Sequence, residues 1–193
     1  KCILDDNKKT MMIGGEHLVT LGTIREYIKK YPDLHIIHFD AHTDLREDFL
    51  GRELSHATVL RKCYDLLGDG RIYQFGIRSG DSSEFKWASE GHTHLRKFDL
   101  VGLDKCIEAL KDKPVYITID LDVLDPSIFP GTGTPEAGGI TYKELQQAIL
   151  DMKGLHNIVG ADIVELSPHY DASGVSTAVA CKVLREMVLL LHC

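Results

Sequence analysis

Apolar residues along the chain fall into two rhythms. Five short runs, at 10–13, 34–39, 71–77, 114–119 and 158–164, are mostly apolar at consecutive positions and end in turn signals or polar residues. Runs of this length, rich in Ile, Val and aromatic residues, predict strands buried on both faces. Between them apolar residues recur at three and four positions. Leu21, Ile24, Ile28 and Tyr31 form one stripe, with Glu26 and Lys30 as an outer pair. Val59, Leu60, Cys63, Leu66 and Leu67 form a second, and Val175, Val179, Val183, Met187 and Leu190 a third. Ile107 and Leu110 predict a short helix ahead of the 114–119 strand, and Thr141 with Glu144 is a capping box opening a helix through Leu145, Ile149 and Met152. The opening KCILDDNKK reads as the last turns of a helix, so an upstream portion is expected to be missing. Strands alternating with helices, each strand apolar on both sides, predict an α/β three-layer sandwich with a mostly parallel sheet, as a single domain over residues 1–193.

Composition narrows the class without changing that picture. The 193 residues are 44% hydrophobic and 26% charged, enough for one substantial core. The net charge of −7 lacks the basic footprint of nucleic-acid binding and favours cationic small molecules. The longest apolar run is residues 187–191, far short of the roughly 20 residues a membrane helix needs. No basic leader precedes the first strand, and a cytoplasmic location is expected. Cysteines 2, 63, 106, 181 and 193 are odd in number, widely spaced and form no CxxC, the pattern of reduced thiols.

The chemistry lies where the strands stop. The first run is followed by Gly14-Gly15-Glu16-His17, the second by Asp40-Ala41-His42-Thr43-Asp44, the fourth by Asp120-Leu121-Asp122 and the fifth by Glu165. In open α/β sheets, ligands bind outside the carboxyl ends of the strands. Alternation along an extended chain would point 40, 42 and 44 one way, and 120 and 122 likewise. Four carboxylates buried together require countercharge, and a metal is the most economical source. His17, Asp40, His42, Asp44, Asp120 and Asp122 make six ligands, too many for one tetrahedral zinc but suited to two ions sharing carboxylates. Oxygen-rich ligation with some imidazole and no thiolate favours manganese. A DxD alone is more often a capped loop. The conjunction of these motifs at successive strand ends carries the reading. His38, inside its strand, reads as a hydrogen-bonded core histidine.

GGEH (14–17), FDAHTD (39–44), TIDLDVLDPSIFPGTGTPEAGG (118–139) and IVELSPHYD (163–171) together resemble the ureohydrolase family of arginases and agmatinases, over nearly the whole chain. The resemblance implies an arginase-like fold and two Mn(2+) per chain. His17 and Asp44 would ligate one ion, His42 and Asp122 the other, and Asp40 and Asp120 would bridge. It implies hydrolysis of a guanidinium by a metal-bridging hydroxide, with Asp44 passing the proton to the departing amine. Glu165 would pair with the guanidinium, Thr134 would orient Glu165 or the substrate, and His56 would shuttle protons. At that last position many relatives read His-Gly, whereas this chain reads Ser55-His56-Ala57. The family's trimers and hexamers imply a homo-oligomer.

The substrate's tail is read from the loop LREDFLGRELS (45–55), which is charged and lacks the Thr/Ser/Asn-rich run of arginases. That and FGIRSG (75–80) resemble agmatinases, so agmatine is the expected substrate, hydrolysed to putrescine and urea in polyamine biosynthesis. Glu47, Asp48 or Glu53 would supply an acidic mouth for its ammonium. Arg46 and Arg52 could instead receive a carboxylate, which leaves guanidinobutyrase activity open beside arginase activity and an inactive truncated or binding-only form. An arginase-fold deacetylase with one zinc is the remaining rival, and two metals per chain would exclude it.

Overall fold

Strand and helix segments of this chain interleave into one parallel sheet, described in a computed structural model over residues 1–192. Cys193, expected among the reduced thiols, lies outside the described residues. The strands are β1 (Thr10–Ile13), β2 (His35–Phe39), β3 (Ile72–Ile77), β4 (His94–Lys97), β5 (Val115–Asp120) and β6 (Ile158–Val164). Their order is β1-β6-β5-β2-β3-β4, with every adjacent pair parallel. The helices are α1 (Cys2–Asp5), α2 (Val19–Lys30), α3 (Val59–Leu67), α4 (Ser82–Trp87), α5 (Leu103–Leu110), α6 (Tyr142–Asp151) and α7 (Val175–Leu191).

Burial follows position in the sheet. β2, β5 and β6 are inner strands and are buried at every residue, whereas the edge strands β1 and β4 are partly or largely exposed. Successive side chains serve opposite faces. Ile37, Phe39, Ile117, Ile119 and Ile163 join the layer packed against α5, α6 and α7. Ile36, Ile72, Tyr116 and Val159 join the layer under α2 and α3. The three-layer sandwich is therefore two cores divided by one sheet.

Two elements escape the apolar rhythm. β4 reads His-Leu-Arg-Lys and is mostly exposed, because an edge strand has little to bury. α4 was also not predicted, although Asp81 and Glu84 form the capping box that opens it. α5 starts at Leu103, earlier than the Ile107–Leu110 spacing alone indicates.

The sheet order reverses between β5 and β2. The chain runs outward from β2 through β3 to β4, then returns through β5 to β6. Such a switch point leaves a crevice at the strands' carboxyl ends. β2 and β5 both end there, β2 immediately before Asp40 and β5 on Asp120.

Candidate metal centre

β2 does not carry its three polar residues by continued alternation. It stops at Phe39, and the next residues fold into a turn held by Asp40, whose Oδ1 accepts from the His42 backbone N–H at 2.5 Å. β5 ends in the same way: Asp120 Oδ1 accepts from the Asp122 N–H at 2.9 Å, and residues Leu121–Val123 form a 3-10 turn. Each first aspartate thus turns the backbone that presents the second ligand candidate. The expected one-sided presentation arises from these turns, not from extended chain.

Asp44 has φ of 53° and Glu165 of 64°, in the left-handed region that costs a non-glycine residue about 1 kcal/mol. Neighbours hold both in place. Buried Glu84 on α4 accepts from Thr43 Oγ1 at 2.6 Å and from the Leu45 N–H at 2.9 Å, clamping the two sides of Asp44. Glu165 Oε1 accepts from the His17 N–H at 2.8 Å, tying the end of β6 to the loop after β1.

All six candidate ligands meet. His17 Nδ1 lies 3.1 Å from Asp44 Oδ2, 3.2 Å from Asp40 Oδ2 and 3.3 Å from Asp120 Oδ2. His42 Nδ1 lies 3.0 Å from Asp122 Oδ2 and 3.4 Å from Asp40 Oδ1. The two oxygens of Asp40 therefore face different imidazoles. His38 stands below, its Nε2 at 2.8 Å from Asp40 Oδ2 and its Nδ1 at 3.1 Å from Gln74 Nε2, a hydrogen-bonded core residue.

The electrostatics call for a cation. Burial lowers the pKa of His17, yet Asp120, Asp40 and Asp44 together raise it well above the ordinary value. His42 is likewise carried to about 12 by Asp122 and Asp40 against the effect of burial. Burial and neighbouring carboxylates raise Asp120 and Asp122 and push Asp44 up to about 7. Asp40, although buried, is held well below the carboxylate range by His38, His17 and His42. Without added positive charge this cluster cannot keep all four carboxylates ionised. His17 Nδ1, buried and ringed by three carboxylates, has no hydrogen-bond partner, as a metal-ligand nitrogen would. His17, His38, Asp40 and Asp44 place donor atoms within 4.8 Å of one another, as do Asp40, His42 and Asp122. These donors fit hard divalent ions.

Above the cluster a cavity of about 180 Å³ is lined by Asp120, Asp44, Glu165, Thr134, His56 and Phe49, among others. Thr134 Oγ1 lies 3.5 Å from Asp122 Oδ2. His56 opens the 3-10 turn capped by Ser55, stacks edge-on with Phe49 and lies 3.5 Å from Glu16 Oε1. Arg46 also lines the cavity, but Asp81 at 3.1 Å and Glu84 at 3.5 Å already neutralise its guanidinium. Glu47, Asp48 and Glu53 do not form the mouth. They line a separate surface depression with Arg61 and Lys62. A larger groove, of about 1040 Å³, follows β4 and holds none of the converging residues.

Further residues brace the turns that present these groups. Arg78, half-buried, donates to the carbonyls of Asp122 at 2.7 Å, Val123 at 3.2 Å and Glu136 at 2.8 Å, fixing the turn after β5. Asp125 accepts from Ser127, Gly138 and Gly139, which draws its pKa down to about 2. A Cβ on Gly139 would lie 2.5 Å from the Asp125 nitrogen, so that approach requires glycine. Much of the 118–139 motif is thus a clasp for the loop. Glu84, Thr118 and Asp162 were missed because nothing local distinguishes them from ordinary helix and strand residues.

A family model described as the arginase family matches residues 1–190. An agmatinase of Bacillus subtilis is 50% identical over 97% of this chain and 65% of its own length. A solved Clostridium difficile protein is 52% identical with a TM-score of 0.97, over 98% of this chain and 70% of that one. The agmatine ureohydrolase of Thermoplasma volcanium is 35% identical with a TM-score of 0.87, over 99% and 65%. The chain spans about 65% of the length of the Bacillus agmatinases it matches.

Proposed function

The chain belongs to the arginase family, and on that premise we propose that it hydrolyses agmatine to putrescine and urea with two manganese ions. The observation that carries this reading is the meeting of His17, His42 and four aspartates in one buried cluster, beneath a cavity reached by Glu165. His17 and Asp44 would hold one ion, His42 and Asp122 the other, with Asp40 and Asp120 shared. The grouping of carboxylate oxygens around the two Nδ1 atoms supports this division for His17, Asp44, His42, Asp122 and the shared Asp40, whereas the sharing of Asp120, whose Oδ2 faces His17 alone, rests on the family resemblance. When bound, the ions supply Lewis acidity and the countercharge that lets water lose a proton near neutral pH.

The protein's own groups do the rest. Glu165 is tethered through Oε1 and keeps Oε2 for the planar guanidinium. Asp44 sits at the cavity floor, where its carboxylate takes a proton from the attacking water and returns it to the departing amine. A C–O bond forms at the guanidinium carbon, the C–N bond to the amine breaks, and urea and amine are left. His56 at the rim exchanges the remaining proton with solvent, oriented by Glu16 and Phe49. Thr134 borders the same cavity and orients the guanidinium end.

Arg46 favours agmatine over guanidino acids, because its charge is spent on Asp81 and Glu84 and is not offered to a carboxylate tail. A cytoplasmic homo-oligomer, trimeric or hexameric, belongs to the same proposal. No helix among the described residues is long and apolar enough to cross a membrane. The test is urea release from agmatine, arginine, guanidinobutyrate and formiminoglutamate by manganese-loaded protein, with metal analysis. Two manganese per chain and fastest turnover of agmatine are expected. Faster urea release from arginine would refute the substrate assignment, and none from any substrate would refute the activity.

A further inference from the structure

Beneath the carboxylate cluster the sheet carries a row of polar side chains to which no step above assigns a role. Strand register pairs Gln74 with His38, His38 with Thr118, and Thr118 with Asp162. Four polar residues therefore stand side by side across β3, β2, β5 and β6, each fully buried, on the face that also carries Ile36, Ile72 and Tyr116. Polar groups in such a layer are costly unless paired, and here each is paired.

Counting hydrogens along the row gives it a direction. Three hydroxyls converge on Asp162: Thr118 donates to Oδ1 at 2.6 Å, and Tyr116 and Thr20 donate to Oδ2 at 2.8 and 2.9 Å. Thr118 has a single hydroxyl hydrogen, and Asp162 takes it. Its oxygen can then only accept from His17 Nε2, 3.0 Å away. When His17 is neutral, as ligation of a metal through Nδ1 requires, its one ring hydrogen is thereby fixed on Nε2. The lone pair is left on Nδ1, the atom that faces Asp40, Asp44 and Asp120 with no hydrogen-bond partner. The other half of the row behaves likewise. Gln74 Nε2 donates to the Thr43 carbonyl at 2.8 Å and to His38 Nδ1, which leaves His38 Nε2–H to donate to Asp40.

We propose that Asp162, acting through the Thr118 hydroxyl, sets the tautomer of His17 and is a positioning residue for one of the two metal ions. This rests on the dinuclear reading of the site. Metal-ligating histidines depend on such outer partners, whose loss typically lowers affinity about 10–100-fold.

The reversal of polarity supplies the test. In Asp162→Asn an amide N–H can face Thr118, which then donates to His17 Nε2 and drives the ring hydrogen onto Nδ1. Manganese titration followed by the free-ion EPR signal should show two sites in the unaltered chain. The variant should keep one site at unaltered affinity and bind the second about 10–100-fold more weakly. Thr118→Val should behave as Asp162→Asn does, and Thr118→Ser as the unaltered chain; this pair carries the test if the Asn variant does not fold. Binding of both ions with unaltered affinity by Asp162→Asn or Thr118→Val would overturn the proposal alone, as would equal loss of both ions. Failure of the unaltered chain to bind two ions would overturn the dinuclear reading and this proposal with it.

Discussion

Asp44→Asn tests whether the cluster is electrostatically frustrated when it holds no metal. In the folded protein the Asp44 carboxyl is pushed from its ordinary 3.8 up to about 7, chiefly by burial and then by Asp40. A group whose folded pKa is raised contributes stability below its unfolded value and loses it as pH climbs through the folded value. Between about pH 4 and pH 7 the metal-free protein should therefore lose about 4 kcal/mol to this one group, at about 1.4 kcal/mol per pH unit. Asparagine escapes that loss. It also tolerates the left-handed backbone at this position, so the turn is not disturbed. Against the gain stands the weakened contact with His17 Nδ1 at 3.1 Å, worth about 1–2 kcal/mol.

The net expectation is that Asp44→Asn is more stable than the unaltered chain by about 2 kcal/mol at pH 8 in chelator. That raises Tm by about 4–8 °C for a chain of this length. Near pH 4 the gain is gone and the variant should be the less stable by about 1–2 kcal/mol. With manganese at a hundredfold excess over Kd the order should invert, because the unaltered chain gains about 2.7 kcal/mol per occupied site and the variant loses one site. Thermal melts followed by circular dichroism at pH 4 and pH 8, each with EDTA and with manganese, measure all four cases. If the variant is less stable than the unaltered chain at pH 8 in EDTA, or its advantage does not depend on pH, the carboxylates are not in conflict and the reasoning fails.

Two further substitutions separate binding from architecture. Glu165→Gln keeps an oxygen for the His17 N–H but loses the charge opposite the guanidinium. It should lower kcat/KM for agmatine about 100-fold or more with manganese stoichiometry unchanged; steady-state kinetics beside metal analysis decides this, and unchanged kinetics would remove Glu165 from substrate recognition. Glu84→Ala strips the acceptor from Thr43 Oγ1 and from the Leu45 and Asp81 N–H groups. It should cost about 3–4 kcal/mol and lower Tm by about 10 °C at pH 7, with weaker manganese binding as Asp44 loosens; an unchanged melt would show that the turn holds without it.

The chain's own pattern was sufficient for a good deal. Five strands were legible because inner strands of a parallel sheet are apolar on both faces, and that shows as an unbroken run. The candidate ligands were legible because Asp40, His42 and Asp44, like Asp120 and Asp122, are polar residues packed tightly where apolar runs stop. β4 was not legible, since an exposed edge strand carries no apolar demand. The mouth was misread as well: Glu47, Asp48 and Glu53 look acidic and near in sequence, yet the loop turns them away from the cavity.

Only the tertiary structure decided which oxygen of Asp40 faces which imidazole, and that Arg46 is already neutralised. It alone aligned Gln74, His38, Thr118 and Asp162 into one row. The physical reason is range. Burial preference and turn chemistry act between neighbours in the chain and leave a local trace, whereas strand register joins residues tens of positions apart through backbone hydrogen bonds that are blind to side-chain identity. Asp162 in a run of Ile, Val and Ala is one polar residue in a buried strand, and its role exists only when β5 lies beside it.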